Sequence, residues 1–151
     1  TGQEDFVSQF LNKEGKVISW RIAIKPGRPF ICAKLGTKYV FGLPGNPVAA
    51  FVCALVILRP ALSRIGGGKT WFKPFSFKTK ANFIKYKRHG RAEFLRAKFN
   101  QENGFVSIYP FEGSGRLSSL SWSDGLIELP EGEQNIEKGD LVDFIPYKSF
   151  F

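Results

Sequence analysis

Methionine is missing from this 151-residue sequence, and His and Cys are scarce, with one and two copies. Without Met, residue 1 is not a natural start, so we expect the chain to be a processed or cut part of a longer polypeptide. Cys32 and Cys53 lie among apolar residues, which favours buried free thiols over a disulfide and suits the cytoplasm. The sequence shows no Cys and His spacing typical of a metal site. His89 lies in a basic turn, where we expect it to be solvated.

The sequence also lacks a secretory signal, because no charged segment followed by an apolar run opens it. Its most apolar stretch, Pro47 to Leu58, is too short to span a bilayer and ends at Arg59 and Pro60. We therefore expect a soluble, cytoplasmic protein with no membrane partner.

Charge is abundant but uneven along the chain, whose formal net charge is +9. Residues 69–98 hold ten Lys or Arg and one acid, Glu93, whereas residues 99–151 hold three basic and nine acidic residues. A basic stretch interleaved with aromatic residues is compatible with a nucleic-acid surface. The plainer interpretation, which we favour, is a β-domain with a basic solvent face. A basic surface of this kind would attract small anionic ligands equally well.

The first part of the chain has the pattern of an α/β layer. Residues 5–13 have apolar residues at helical spacing, residues 16–25, 29–35 and 38–43 resemble strands, and Pro47 begins an apolar helix. Asn46 can cap this helix, Pro60 kinks or restarts it, and the three glycines at 66–68 mark a domain boundary. One helix, three strands and one long helix form only part of such a structure, so an apolar edge or face is expected to be exposed.

After the glycines the pattern changes to short alternating strands separated by turn signals. The candidate strands are residues 72–84, 92–99, 105–109, 125–129 and 141–145. The sequence therefore predicts two domains: residues 1–66 form part of an α/β domain, and residues 67–151 form a small all-β domain, barrel- or sandwich-like.

The segment from Leu43 to Pro47 carries the strongest local functional signal. Gly45 allows close backbone approach, and the N–H groups of the following helix turn favour an anion, although an ordinary capped helix is an equal alternative. Arg21 and Lys25 would project from one face of a strand and offer two cations to one anion, although a solvated strand face has the same spacing.

Asp5 opens the first helix and admits three interpretations. It could be an acid stabilised by the helix dipole, a ligand of Mg²⁺, or a group that orients an oxyanion. The residues around it do not decide between these roles.

Several motifs together resemble the molybdopterin molybdenumtransferase family, which includes bacterial MoeA and the E-domain of gephyrin. The first two are residues 23–29 (AIKPGRP) and 42–48 (GLPGNPV), whose pairing is more specific than either motif alone. Residues 1–5 (TGQED), 90–96 (GRAEFLR) and 113–115 (GSG) resemble further family segments. The resemblance covers essentially the whole chain and marks it as the C-terminal part of a longer enzyme.

The resemblance implies an activity and a set of substrates. Family members use Mg²⁺, insert molybdenum from molybdate into adenylylated molybdopterin and release AMP. Residues 1–66 would be the C-terminal part of the pterin-binding, MogA-like three-layer α/β domain, and residues 67–151 the C-terminal β-domain. A homodimer is expected for the full-length protein, and this chain alone is expected to lack full activity.

The resemblance also implies the site residues. Asp5 matches an acid near the metal-handling centre and would be catalytic and a Mg²⁺ ligand, and Lys25 would be catalytic and cofactor-binding. The other positions implied to bind the cofactor are Arg21, Pro44, Gly45, Asn46, Pro47, Arg96 and Ser114. At position 21 the family usually has Lys, and Arg there keeps the charge but changes the geometry.

An electrostatic mechanism follows from this assignment. Arg21, Lys25 and Arg96 would offset the repulsion between molybdate oxygens and pterin thiolates, and would orient the phosphates. Two other functions remain open: the basic β-domain could bind nucleic acid, a partner that we do not favour, or the chain could be a scaffold for receptor loops.

Overall fold

A computed structural model describes residues 6–111 and 115–151. Asp5 and Ser114 of the predicted site therefore lie outside the described residues. In the described part the chain forms two sheet systems joined by a long helical segment, which confirms the mixed α/β class with a barrel-like second part.

The first sheet is a three-stranded antiparallel layer with one helix on it. Helix α1 (Phe6–Glu14) precedes the strands β1 (Lys16–Trp20), β3 (Ile31–Leu35) and β4 (Lys38–Gly42), in the order β1-β3-β4. Leu11 of α1 packs on Ile31 and Ala33 in a small core. Several other apolar residues of this layer are exposed, as predicted for a partial α/β structure: Phe6, Val7, Phe10, Ile18, Trp20 and Tyr39.

The strand predicted over residues 16–25 is interrupted, so its predicted geometry is wrong. It ends at Trp20, Arg21 has a positive φ of 63°, and the short strand β2 (Ile24–Lys25) belongs to the other sheet. Arg21 and Lys25 therefore do not share one strand face. A residue in the left-handed backbone conformation changes the direction of the chain. The alternation of apolar and polar residues in the sequence cannot reveal such a change.

The helix that begins at Pro47 extends beyond the apolar stretch that ends at Leu58. It runs as α2 (Pro47–Cys53), a π-helical turn (Ala54–Leu58) and α3 (Arg59–Ile65). The wider π turn lets the helix continue through Pro60, which has no N–H to donate. By length and composition alone, the whole helix of residues 47–65 is enough to cross a membrane, because it continues beyond the apolar stretch that ends at Leu58. Core helices pass the same test, and Val52 and Cys53 are fully buried here.

The second sheet system closes into a five-stranded barrel. Its strands are β5 (Phe77–Ala81), β7 (Ala92–Asn100), β8 (Phe105–Ile108), β9 (Gly125–Leu129) and β11 (Leu141–Pro146). The order β7-β8-β5-β11-β9 returns to β7 through the β7–β9 pairing. Four of the five predicted strands lie close to these bounds, whereas residues 72–84 form a strand only at 77–81 because Pro74 cannot donate to a ladder.

Four smaller elements complete the described fold, and none of them was predicted. Strand β6 (Lys85–Lys87) pairs with β10 (Gln134–Ile136) in a two-stranded sheet, and helix α4 (Ser118–Trp122) precedes β9. A 3₁₀ turn covers Tyr147–Phe150. Three-residue strands are too short to show a period in the sequence.

The main core crosses the predicted boundary at residues 66–68. Strand β2 joins the barrel through a parallel pairing with β7, in which Ile24 lies opposite Ala92. The helix also contributes to this core, which contains Ile24, Phe30, Val52, Cys53 and Leu55 together with Phe94, Leu126, Ile145 and Phe150. The two parts are therefore packed as one body around a shared apolar cluster.

Candidate active site

A cleft of about 960 Å³ lies where the first part of the chain meets the barrel. Its walls come from the turn after β2, the loop before α2, the first half of β7 and the end of β8. The residues that carry its charge and shape are Lys25, Gly27, Arg28, Pro44, Gly45, Asn46, Lys85, Arg91, Glu93, Arg96, Tyr109 and Phe111.

The loop from Pro44 to Asn46 forms one wall and is held by a helix cap. Asn46 has an extended backbone, and its Oδ1 accepts a hydrogen bond from the N–H of Ala49 at 3.1 Å. Pro47 follows at the first helical position, where no N–H is needed. The predicted cap is therefore confirmed, whereas an anion at this helix end stays a prediction. A Cβ on Gly45 would meet open space, so this glycine leaves room in the cleft.

The turn after β2 forms the facing wall, and Cys53 contacts this turn at Gly27. Gly27 has φ of +128°, and a Cβ there would approach Cys53 Sγ to 2.5 Å. The Cys53 thiol donates to the carbonyl of Gly27 at 3.6 Å. Both cysteines are free, as predicted, and burial raises the pKa of Cys53 to about 11. The thiol at this wall is therefore protonated and inert at neutral pH.

Lys25 enters the cleft as one half of an ion pair. Its register partner on β7 is Glu93, and Nζ and Oε1 are 2.8 Å apart. The Lys25 side chain is 50% exposed and that of Glu93 only 12%. The pair therefore joins the two parts of the chain and leaves much of Lys25 open to the cleft. Sequence analysis missed Glu93 as a site residue, although its place in the GRAEFLR motif was a usable signal.

Arg96 reaches the cleft from the middle of β7. It is 7% exposed, and its Nε donates to Ser119 Oγ at 3.3 Å. Burial lowers the pKa of Arg96, opposed by Tyr147 and Tyr109. Burial also raises the pKa of Tyr147, whose hydroxyl is 2.7 Å from Ser123 Oγ. Arg96 lines the cleft, so its positive charge belongs to the cleft wall.

Arg21 lies apart from these groups. It is not among the described residues that line the cleft, and its guanidinium sits over the Trp20 ring at 4.6 Å from the centroid. The structure thus brings together Lys25, Pro44, Gly45, Asn46 and Arg96, but not Arg21. Pro47 stands at the end of the same loop without lining the cleft.

Metal ligands are few in this part of the chain. Within residues 6–111 and 115–151 no group of three His, Cys, Asp or Glu side chains could hold a metal ion. Glu93 is the one described carboxylate that lines the cleft, and Lys25 already pairs with it. These residues do not fit a Mg²⁺ site made of protein ligands alone, and the role of Asp5 stays a prediction.

Comparison with known proteins decides the family. Residues 1–64 match a family described as "Probable molybdopterin binding domain", and residues 81–147 match "MoeA C-terminal region (domain IV)". The chain belongs to the MoeA family. Residues of both matched segments line the cleft.

Individual MoeA-type relatives agree with this assignment. A molybdopterin molybdenumtransferase of Haemophilus influenzae is 36% identical over 97% of this chain and 37% of its own length. The molybdenum cofactor synthesis protein cinnamon of Drosophila melanogaster is 34% identical, over 85% of this chain and 22% of that protein. The chain therefore spans about a third or less of these relatives.

A solved structure supports the fold of the whole described chain. A molybdopterin biosynthesis MoeA protein from Pyrococcus horikosii superposes with a TM-score of 0.78 at 27% identity, over 94% of this chain and 34% of that one. The arrangement of layer, helix and barrel is thus that of a MoeA protein.

Proposed function

We propose that this chain supplies a cleft in which molybdenum from molybdate is inserted into adenylylated molybdopterin, with release of AMP. The observation that carries the proposal is the convergence of three motif segments, 23–29, 42–48 and 90–96, on one cationic cleft. The names of the MoeA-type relatives support the same pathway. The protein would act in the cytoplasm.

The proposed reaction changes no oxidation state. Two pterin thiols bond to molybdenum and displace one oxo ligand, which leaves as water with the two thiol protons. One water molecule cleaves the phosphoanhydride bond between the pterin phosphate and AMP, giving two phosphate monoesters and releasing protons. Molybdate and the phosphates of adenylylated molybdopterin are anionic, so the barrier contains a large repulsive contribution between like charges.

The cleft is suited to offset that repulsion. Its described lining contains five cations, namely Lys25, Arg28, Lys85, Arg91 and Arg96, against the single carboxylate of Glu93. Preorganised cations in a partly dry cleft stabilise negative charge more than the same groups do in water. Lys25 is the cation best placed to touch an anion, because half of its side chain is exposed. Arg96 is buried, so its positive charge would act on the substrates from a nearly fixed position.

Substrate binding would use the loop at Pro44, Gly45, Asn46 and Pro47. The open space in front of Gly45 admits a ligand close to the backbone, and the aromatic rings of Tyr109 and Phe111 line the same cleft. A flat heterocycle such as a pterin packs well on such surfaces. Ser114 and Asp5 remain proposed contributors on the family resemblance alone.

Three further expectations belong to this proposal. Mg²⁺ would assist the reaction, with Asp5 as the candidate ligand, although the described residues offer no such site by themselves. The full-length protein would be a homodimer. The 151-residue chain alone would lack full activity, since it spans only 37% of the Haemophilus relative.

The test measures molybdate-dependent AMP release from adenylylated molybdopterin by the full-length protein. Lys25→Ala and Arg96→Gln should each lower kcat/KM by about 10²-fold, the range found when one electrostatic group is removed. Asp5→Ala should abolish the molybdate dependence if this acid handles the metal. Lys98→Gln is the matched control, because Lys98 is an exposed cation of β7 that does not line the cleft. Unchanged AMP release in both Lys25→Ala and Arg96→Gln would refute the proposed roles.

A further inference from the structure

A second, smaller concavity of about 380 Å³ adjoins the cleft, and we call it the rim pocket. It is formed by β6, the turn that leads into β7, and Lys25 on the far side. Its charged lining consists of five basic side chains and one acid: Lys25, Lys85, Lys87, Arg88, Arg91 and Glu93. Lys87 and Arg88 line this pocket but not the main cleft.

Two of these cations are held in place by neutral groups. Lys87 is 3% exposed, and its Nζ donates to the carbonyl oxygen of Gly132. Arg91 Nη1 donates to the carbonyl oxygen of Ile24 at 3.3 Å. A carbonyl fixes the position of a cation without cancelling its charge. Of the ion pairs between described residues, one involves this pocket, and it joins Glu93 to Lys25. The positive charge of Lys87 and Arg91 is therefore oriented but not balanced by these pairs.

The backbone around the pocket is also fixed before any ligand binds. Strand β6 pairs with β10, with Lys87 opposite Gln134. The N–H of Gly132 donates to the carbonyl of Gly90 at 3.2 Å, while the carbonyl of Gly132 accepts from Lys87. Gly132 therefore forms hydrogen bonds both with Gly90 in the turn and with the buried ammonium of Lys87. A rigid group of cations loses little entropy when an anion binds.

We propose that the rim pocket binds a tetrahedral oxyanion of the phosphate class, either free or as part of a nucleotide. A buried ammonium with uncompensated charge is unfavourable in an empty pocket and becomes favourable when an anion shares it. A volume of about 380 Å³ has room for a phosphate group together with water or with the rest of a nucleotide. Because Lys25, Lys85, Arg91 and Glu93 line both concavities, an anion bound here lies beside the cleft.

A phosphate-sized ligand is favoured over a nucleic acid by the shape and partners of the site. The cations converge on one concavity, whereas a single-stranded chain needs a track of cations with free aromatic rings for its bases. Tyr86, the aromatic residue of β6, instead donates its hydroxyl to Glu133 Oε1 at 2.7 Å, so its ring is held by this bond.

The experiment is isothermal titration of the full-length protein with inorganic phosphate and, separately, with AMP. Arg88→Gln should weaken binding by about fivefold, and Lys87→Met by about tenfold, as expected for one charge-assisted hydrogen bond. Lys98→Gln removes the same charge away from the pocket and should bind as the unchanged protein does. Weakening for inorganic phosphate identifies a site for free oxyanions, and weakening for AMP alone identifies a site for the phosphate of a nucleotide.

Two results would overturn the proposal. One is unchanged affinity for both ligands in Arg88→Gln, an exposed position where misfolding is not an explanation. The other is tight, steeply salt-dependent binding of single-stranded RNA that Arg88→Gln abolishes while phosphate shows no binding, which would make this a nucleic-acid surface. Binding is measured without turnover, so either result is independent of whether the protein transfers molybdenum.

Discussion

At the scale of single residues, the wall of the cleft depends on one contact between a glycine and a thiol. Gly27 turns the chain with a φ that side chains rarely adopt, and its carbonyl receives the Cys53 thiol. The dipeptide Pro26-Gly27 predicted a turn, since these residues are typical of one. The partner 26 residues away could not be predicted, because contact between distant segments is decided by packing.

We predict that Gly27→Ala destabilises the protein by roughly 2 kcal/mol or more, from the strained φ and the overlap with Cys53 Sγ. Urea unfolding should show a lower midpoint with an unchanged slope. Gly45→Ala is the control in the same cleft, since its Cβ meets open space and stability should change by less than about 0.5 kcal/mol. Equal midpoints for Gly27→Ala and the unchanged protein would show that the turn relaxes freely.

Arg21 shows why residue spacing alone misleads. Four residues separate it from Lys25, which on a regular strand places both side chains on one face. The positive φ of Arg21 ends the strand, and the side chain stacks on Trp20 instead. Its family-based role stays a prediction, whereas its predicted geometry is wrong.

At the scale of elements, the helix that begins at Pro47 organises the cleft. Its start was predictable, because Asn46 followed by Pro47 is a helix-initiating pattern. Its continuation to Ile65 was not, because the effect of Pro60 depends on whether the preceding turn can widen. The π turn at Ala54–Leu58 is that widening.

We predict that Asn46→Ala lowers stability by about 1 kcal/mol, because the N–H of Ala49 loses its side-chain acceptor. Asn46→Asp keeps the acceptor and should retain stability, while its negative charge weakens anion binding in the cleft. Chemical denaturation and titration with AMP measure the two effects separately. An Asn46→Ala variant with the original unfolding midpoint would mean that the cap contributes nothing.

At the largest scale, the first part of the chain packs directly on the barrel. Strand β2 lies on β7, Lys25 pairs with Glu93, and the helix fills the core next to Phe94 and Leu126. Both sides of the cleft therefore move as one body. A cleft formed in this way keeps its cations at fixed separations, which favours electrostatic stabilisation.

We predict that residues 67–151 alone are at least about 3 kcal/mol less stable than residues 1–151, because the barrel loses β2 and its apolar cover. Thermal unfolding followed by near-ultraviolet circular dichroism should be broad for the shorter chain and cooperative for the longer one. A cooperative transition at the same midpoint would instead make residues 67–151 an independent domain, as the triple glycine suggested.

The local features of this protein could be predicted from its sequence: the helix starts, most barrel strands, the free thiols and the motifs of the MoeA family. These depend on neighbours within a few residues, through capping, alternation and turn chemistry. The fold was needed to show that Glu93 pairs with Lys25, that Arg21 stacks on Trp20 away from the cleft lining, and that Lys87 is buried with its ammonium on the carbonyl of Gly132. The reason is physical: the free energy of a charge depends on what surrounds it in space, and that environment comes from residues far apart in the chain.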